Sequence, residues 1–132
     1  MDEKRKLSLQ LWHSIVLDKR LDILGDVLAE DVVFRSPFLW KPYHGRYPAF
    51  VILGAVSDVF RDFAYHRELV VGNIWVLEFS AMVGELSVKG IDLIELNDEG
   101  LIQNLEVFVR PANGLLALGE AMKRRLSEIG FS

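Results

Sequence analysis

A chain of 132 residues fits a single domain, 1–132, that can bury roughly two thirds of the surface its extended form exposes. With 51% hydrophobic and 26% charged residues, it lies far from the weakly apolar, highly charged compositions that stay disordered. A net charge of -4 excludes a nucleic-acid binder that relies on broad phosphate neutralisation, and the absence of cysteine excludes disulfides, thiolate metal sites and thiol nucleophiles.

The opening stretch MDEKRKLSLQLWHSIVLDKR is broken by polar residues too early for a signal peptide or a membrane span, so a cytoplasmic protein with no membrane partner is expected. Leu7, Leu11, Trp12, Ile15 and Val16 recur at helical spacing and predict an amphipathic helix over 3–17. The basic runs Lys4-Arg5-Lys6 and Lys123-Arg124-Arg125 read as solvated helix faces. Asp18-Lys19-Arg20 interrupts the first helix, and Ile23, Leu24, Val27 and Leu28 predict a second, shorter one ending near Ala29. Residues 32–35 have strand composition and are stopped by Ser36-Pro37.

Residues 37–45 carry three aromatics and two prolines without a period, which predicts a loop able to serve as a lid. Pro48 suits the first turn of a helix whose stripe is Ile52, Ala55, Val56, Val59 and Phe60. Four strands follow, near 64–71, 74–83, 87–96 and 101–110, joined at Gly72-Asn73, Gly84-Glu85 and Asp98-Glu99-Gly100. Such short connections predict an antiparallel meander. Pro111 stops the last strand and opens a final helix with Leu115, Leu118, Met122 and Leu126 on one stripe. The predicted class is α+β, with helices on one side of a curved antiparallel sheet.

The last hairpin carries the charges of interest. Pairing Asn97 with Leu101, with Gly100 in a left-handed position, sets Asp92 opposite Glu106 and sends Ile94, Asn104, Phe108 and Arg110 to the same face. Two opposed carboxylates in a pocket favour a proton on one of them, a workable acid and base pair. On one reading this mixed face lines a pocket. On the other, the apolar face of Ile91, Leu93, Leu105, Val107 and Val109 packs inward and the charges sit in solvent. A slip of one residue would send Glu106 to the opposite face. Arg110 either holds a ligand oxygen or pairs with Glu106.

Around this pair, His44 stands in the loop as a proton shuttle or an exposed residue. Tyr47 and Trp40 are loop aromatics with polar tips, and Trp12, Phe34, Trp75 and Phe108 are either a pocket wall or ordinary core. No histidine pair has metal-ligand spacing, and the serine-nucleophile elbow, phosphate loop and dinucleotide fingerprint are missing, so neither metal nor cofactor is expected.

The order of elements, with Leu24 to Phe34 (LGDVLAEDVVF), Tyr43-His44-Gly45-Arg46, Gly90-Ile91-Asp92-Leu93, Asp98-Glu99-Gly100-Leu101-Ile102 and Val109-Arg110-Pro111, resembles the nuclear transport factor 2-like superfamily, and within it the SnoaL-like, polyketide cyclase-like group. The resemblance covers nearly the whole chain and is nearest to bacterial members of unassigned function. It implies a cone-shaped curved sheet wrapped around N-terminal helices, a pocket for a small apolar molecule with Asp92 facing it, a C-terminal helix, and a homodimer formed through the outer sheet face. Enzymes of the group include cyclases, isomerases, dehydratases and hydrolases, while other members only bind ligands or partners. Two functions therefore remain: an acid/base isomerase, cyclase or hydrolase of a carbonyl- or hydroxyl-bearing apolar substrate, or a non-catalytic ligand-binding or dimeric interaction module.

Overall fold

The computed structural model describes residues 2–131. Helix α1 (Glu3–Leu17) starts where Asp2 accepts a hydrogen bond from the Arg5 amide at 2.9 Å, an N-cap that satisfies an otherwise free donor. It buries Ser8, Trp12 and Ile15. The second helix expected from the apolar spacing is only a short 3-10 turn, Leu21–Asp26, and strand β1 (Leu28–Arg35) already begins at Leu28. The strand is irregular between Leu28 and Val33, so its alternation is hidden and Leu24, Val27 and Leu28 imitate a helical stripe. All three are fully buried.

Within the predicted loop, Tyr43–His44 forms a two-residue strand, β2, antiparallel to β1. Helix α2 (Arg46–Val59) is entered through Gly45, whose φ of 93° suits glycine. Strands β3 (Arg61–Val71), β4 (Ile74–Val83), β5 (Leu86–Leu96) and β6 (Ile102–Arg110) then form the expected antiparallel meander. The chain closes with helix α3 (Ala112–Glu128).

The sheet is open and mixed, in the order β2-β1-β6-β5-β4-β3, because β1 lies parallel to β6. That crossover corrects the all-antiparallel expectation: β1 is separated in sequence from the meander by α2, a connection long enough to return the chain in the same direction. The architecture is otherwise the expected α+β fold, a curved sheet whose inner face packs on the helices and a C-terminal helix. No helix among the described residues is long and apolar enough to cross a membrane.

The inner face of the meander is set by alternation, with Trp75, Leu77, Phe79 and Ala81 of β4 buried at every second position. Gly90 sits opposite Phe79 on β5, and a Cβ there would run into the Phe108 carbonyl and the Phe79 ring. The missing side chain is therefore what lets Phe79 lie flat across the sheet. Gly90→Ala is expected to destabilise the protein by roughly 1–3 kcal/mol through overpacking. Urea unfolding checks this as a lower midpoint at unchanged slope.

Candidate active site

The hairpin turn forms as expected and the register beyond it does not. Asn97 N–H donates to the Leu101 carbonyl at 2.8 Å, Gly100 takes a left-handed φ of 80°, and the Asn97 side chain accepts from the amides of Glu99 and Leu101. Leu96 then faces Ile102 while Glu95 faces Asn104, which leaves Gln103 as an extra residue, a β-bulge. Every later pair is displaced by one. Asp92 lies opposite Val107, and Glu106 lies opposite Leu93.

The cause is burial. Ile102 and Leu105 are three positions apart and both are essentially inaccessible, which regular alternation forbids and one bulge permits. Without it, either an apolar side chain would face water or the Glu106 carboxylate would be forced inward without a partner. The expected Asp92–Glu106 pair is thus corrected: the two acids occupy opposite faces of the sheet.

Asp92 faces inward, 7% exposed, at the wall of a cavity of about 150 Å³. The lining is mostly apolar, and among the described residues Lys19, Ser36, Tyr43, Ser57 and Asp92 carry its charged and hydroxyl groups. The Tyr65 hydroxyl donates to Asp92 Oδ2 at 2.6 Å, and the Trp12 indole N–H donates to that hydroxyl at 2.9 Å. An indole nitrogen only donates, so Tyr65 must accept from Trp12 and turn its own hydrogen to the carboxylate. Among the described residues, Oδ1 of Asp92 has no hydrogen-bond partner. The proton of neutral Asp92 therefore belongs on Oδ1.

Burial raises the Asp92 pKa to about 7, against the opposing effect of the Tyr65 hydrogen bond, which favours the ionised form. The Tyr65 hydroxyl is itself pushed well above its ordinary range, by burial first and then by the Asp92 charge. Tyr65 is held by an aromatic stack: its ring meets Phe63 edge-on at 5.0 Å, and Phe63 stacks on Phe79 at 5.1 Å. The path from Gly90 to the acid is continuous, through Phe79, Phe63 and Tyr65.

The other residues singled out from the sequence divide into groups. Trp12 and Phe34 line the cavity with Asp92. Glu106, Phe108 and Trp40 lie instead along an open groove beside β6, where Trp40 is 95% exposed. Arg110 is exposed at the end of β6, in register with Lys89 and without an ion pair to Glu106 among the described residues. His44 is exposed on β2, and Tyr47 is turned outward with its ring tilted against Phe131 at 6.3 Å. Trp75 is core, fully buried, and its indole N–H has no hydrogen-bond partner among the described residues. These outward placements follow from the bulge for Glu106, Phe108 and Arg110, and from the short β1–β2 pairing for His44.

Tyr65 was not singled out by sequence reading. The available signal was the alternation of Phe63 and Tyr65 in β3, which puts both on the face that carries Phe79. Among the described residues no group of three His, Cys, Asp or Glu is placed to hold a metal ion.

No protein-family model matches the chain, and no curated protein matches it. Solved structures do. A steroid delta-isomerase from Pseudomonas aeruginosa is 46% identical over 98% of this chain and 96% of its own, with a TM-score of 0.94. An uncharacterized protein with a cystatin-like fold from Silicibacter pomeroyi is 40% identical over 91% of this chain and 85% of its own, with a TM-score of 0.87. An NTF2-like protein of unknown function from Mesorhizobium loti shares the fold at 18% identity and a TM-score of 0.73, over 83% of this chain and 93% of its own.

The Asp92 pKa fixes a pH signature for stability. Its folded value, about 7, lies above the unfolded value of about 3.9, so the folded state holds the proton more tightly. That contribution is complete below about pH 4 and disappears as pH rises through about 7. Asp92→Asn should therefore be the more stable protein above pH 7, by up to about 4 kcal/mol, with the gap closing toward pH 4. Denaturation midpoints of both proteins measured from pH 4 to 8 check the direction.

Proposed function

Since the chain belongs to the nuclear transport factor 2-like superfamily, we propose that it is an acid/base isomerase of a small, apolar, carbonyl-bearing compound, with Asp92 as the proton carrier. The observation that carries this reading is a carboxyl group, the one among the described residues lining an apolar cavity, anchored through one oxygen by Tyr65 and without a hydrogen-bond partner among those residues at the other. Ionised Asp92 removes a proton from the carbon next to the substrate carbonyl, and an enolate forms. Neutral Asp92 returns the same proton two carbons further along the conjugated system, so the double bond moves and no atom is gained or lost.

A pKa near 7 suits a group that must both accept and release a proton at neutral pH. Desolvation strengthens the ionised form as a base, and Tyr65 prevents the acid from becoming permanently protonated. Trp12 and Phe34 supply apolar surface for the substrate body. A cavity of about 150 Å³ accommodates a group of roughly single-ring size, which makes the enclosed part of the substrate compact. The steroid delta-isomerase among the similar structures supports proton transfer beside a carbonyl as the reaction type.

Conversion of cyclohex-3-en-1-one to cyclohex-2-en-1-one, followed by the ultraviolet absorbance of the conjugated product, tests the reading. The rate should rise as pH passes about 7, Asp92→Asn should lower kcat roughly 10³-fold, and Tyr65→Phe should move the inflection to higher pH. Turnover that ignores Asp92 would overturn the assignment. Binding without turnover would favour the ligand-binding module instead.

We further infer a homodimer formed through the outer sheet face. Leu69, Val71, Ile91 and Phe108 are each more than a third exposed on that face, apolar surface that a second copy would cover. Sedimentation equilibrium should give twice the chain mass, and Phe108→Lys should shift it to the monomer while leaving ligand binding in the cavity intact. A monomeric wild-type protein at high micromolar concentration would rule the dimer out.

A further inference from the structure

Lys19 is the one cation among the described residues that line the cavity. It is exposed, beyond the last turn of α1, and pairs with no carboxylate among the described residues, whereas its neighbour Arg20 is taken up by Asp22 at 2.9 Å. Its backbone is also unusual. A φ of 55° puts Lys19 in the left-handed region, where a side chain costs roughly 1–2 kcal/mol and glycine costs little. The other non-glycine residue with positive φ among the described residues, Asp62 at 53°, is of a type that tolerates this conformation.

The turn after α1 would thus form more readily with glycine. What lysine adds is an ammonium at the edge of an apolar cavity, in a chain whose net charge is -4. The two ends of the cavity have opposite preferences. At the deep end, apolar walls and the Asp92 carboxylate disfavour a second negative charge. At the rim, an anion keeps part of its hydration and meets a cation, with the Ser36 and Ser57 hydroxyls also on the lining. One ammonium is a point charge suited to a monoanion; phosphate sites usually converge several donors.

We propose that the ligand is amphipathic, with a carboxylate at its solvent-facing end, and that Lys19 receives this group. The ligand enters carbonyl first and leaves its anionic end at the rim. This inference rests on the reading of the Asp92 cavity as the substrate site, and it adds the polarity and class of the substrate: an oxo acid with a compact apolar body.

The probes are 7-oxooctanoate and its uncharged counterpart octan-2-one, titrated by calorimetry into the wild type, Lys19→Gly and Asp92→Asn. The wild type should bind the oxo acid about fivefold more tightly than the ketone, the size expected of one exposed ion pair. That preference should vanish in Lys19→Gly, persist in Asp92→Asn, and shrink at high salt. Lys19→Gly should melt no lower than the wild type, since it relieves the left-handed backbone, so a lost preference is not a folding defect. Equal affinities in the wild type, or a preference retained in Lys19→Gly, would overturn the role of Lys19 while leaving the site standing if the ketone binds. Failure of both probes to bind the wild type would overturn both readings.

Discussion

The hydrogen bond from the Tyr65 hydroxyl to Asp92, 2.6 Å long, is what makes an acid tolerable inside an apolar cavity. Removing a carboxylate from water disfavours its charge, and the usual outcome is a permanently neutral group. Tyr65 offsets part of that penalty and brings the pKa to about 7, where both forms are populated near neutral pH. Trp12 fixes the direction of the chain, because its N–H can only donate. The oxygen of Asp92 left without a hydrogen-bond partner among the described residues follows from that direction.

Much of the fold serves to hold Tyr65 still. Gly90 contributes by having no side chain, which lets Phe79 lie across β5 and stack on Phe63, the edge contact of Tyr65. Trp12 reaches the same hydroxyl from α1, 53 residues away in sequence. Helix and sheet are therefore clamped together at the Tyr65–Asp92 pair. Such coupling gives precise placement; beside it Glu68 of β3 meets His13 of α1 at 2.6 Å, and the other ion pairs among the described residues lie on the outer face and at helix ends.

The outer face follows different physics. Glu78 is 8% exposed there, yet it is held between Arg67 at 2.6 Å and Lys89 at 3.1 Å, and these cations keep its carboxyl far below the usual range. Asp92 has a hydroxyl in place of two cations and faces an apolar cavity rather than solvated side chains, and its pKa moves the other way. Burial pushes both carboxyls upward: at Asp92 it prevails because one hydroxyl offsets it only in part, and at Glu78 the two cations overcome it.

By itself the sequence determined the first and last helices, the four-strand meander, its turns, the α+β class and the identity of Asp92 as the acid to watch. The helices, strands and turns rest on local signals, such as helical or strand periodicity, a glycine at a left-handed turn position, or a proline at a helix start, whereas Asp92 stands out through strand alternation taken together with the family resemblance. Tertiary structure alone decided which residues stand with Asp92. The bulge at Gln103 exists because Ile102 and Leu105 are buried together against the core and against β1, a long-range constraint that no hairpin count contains. That one residue removed Glu106, Phe108 and Arg110 from the cavity, while the β3–β4 register supplied Tyr65 in their place. In a strand a displacement by one reverses every side chain, so facing is settled only when the whole sheet is packed.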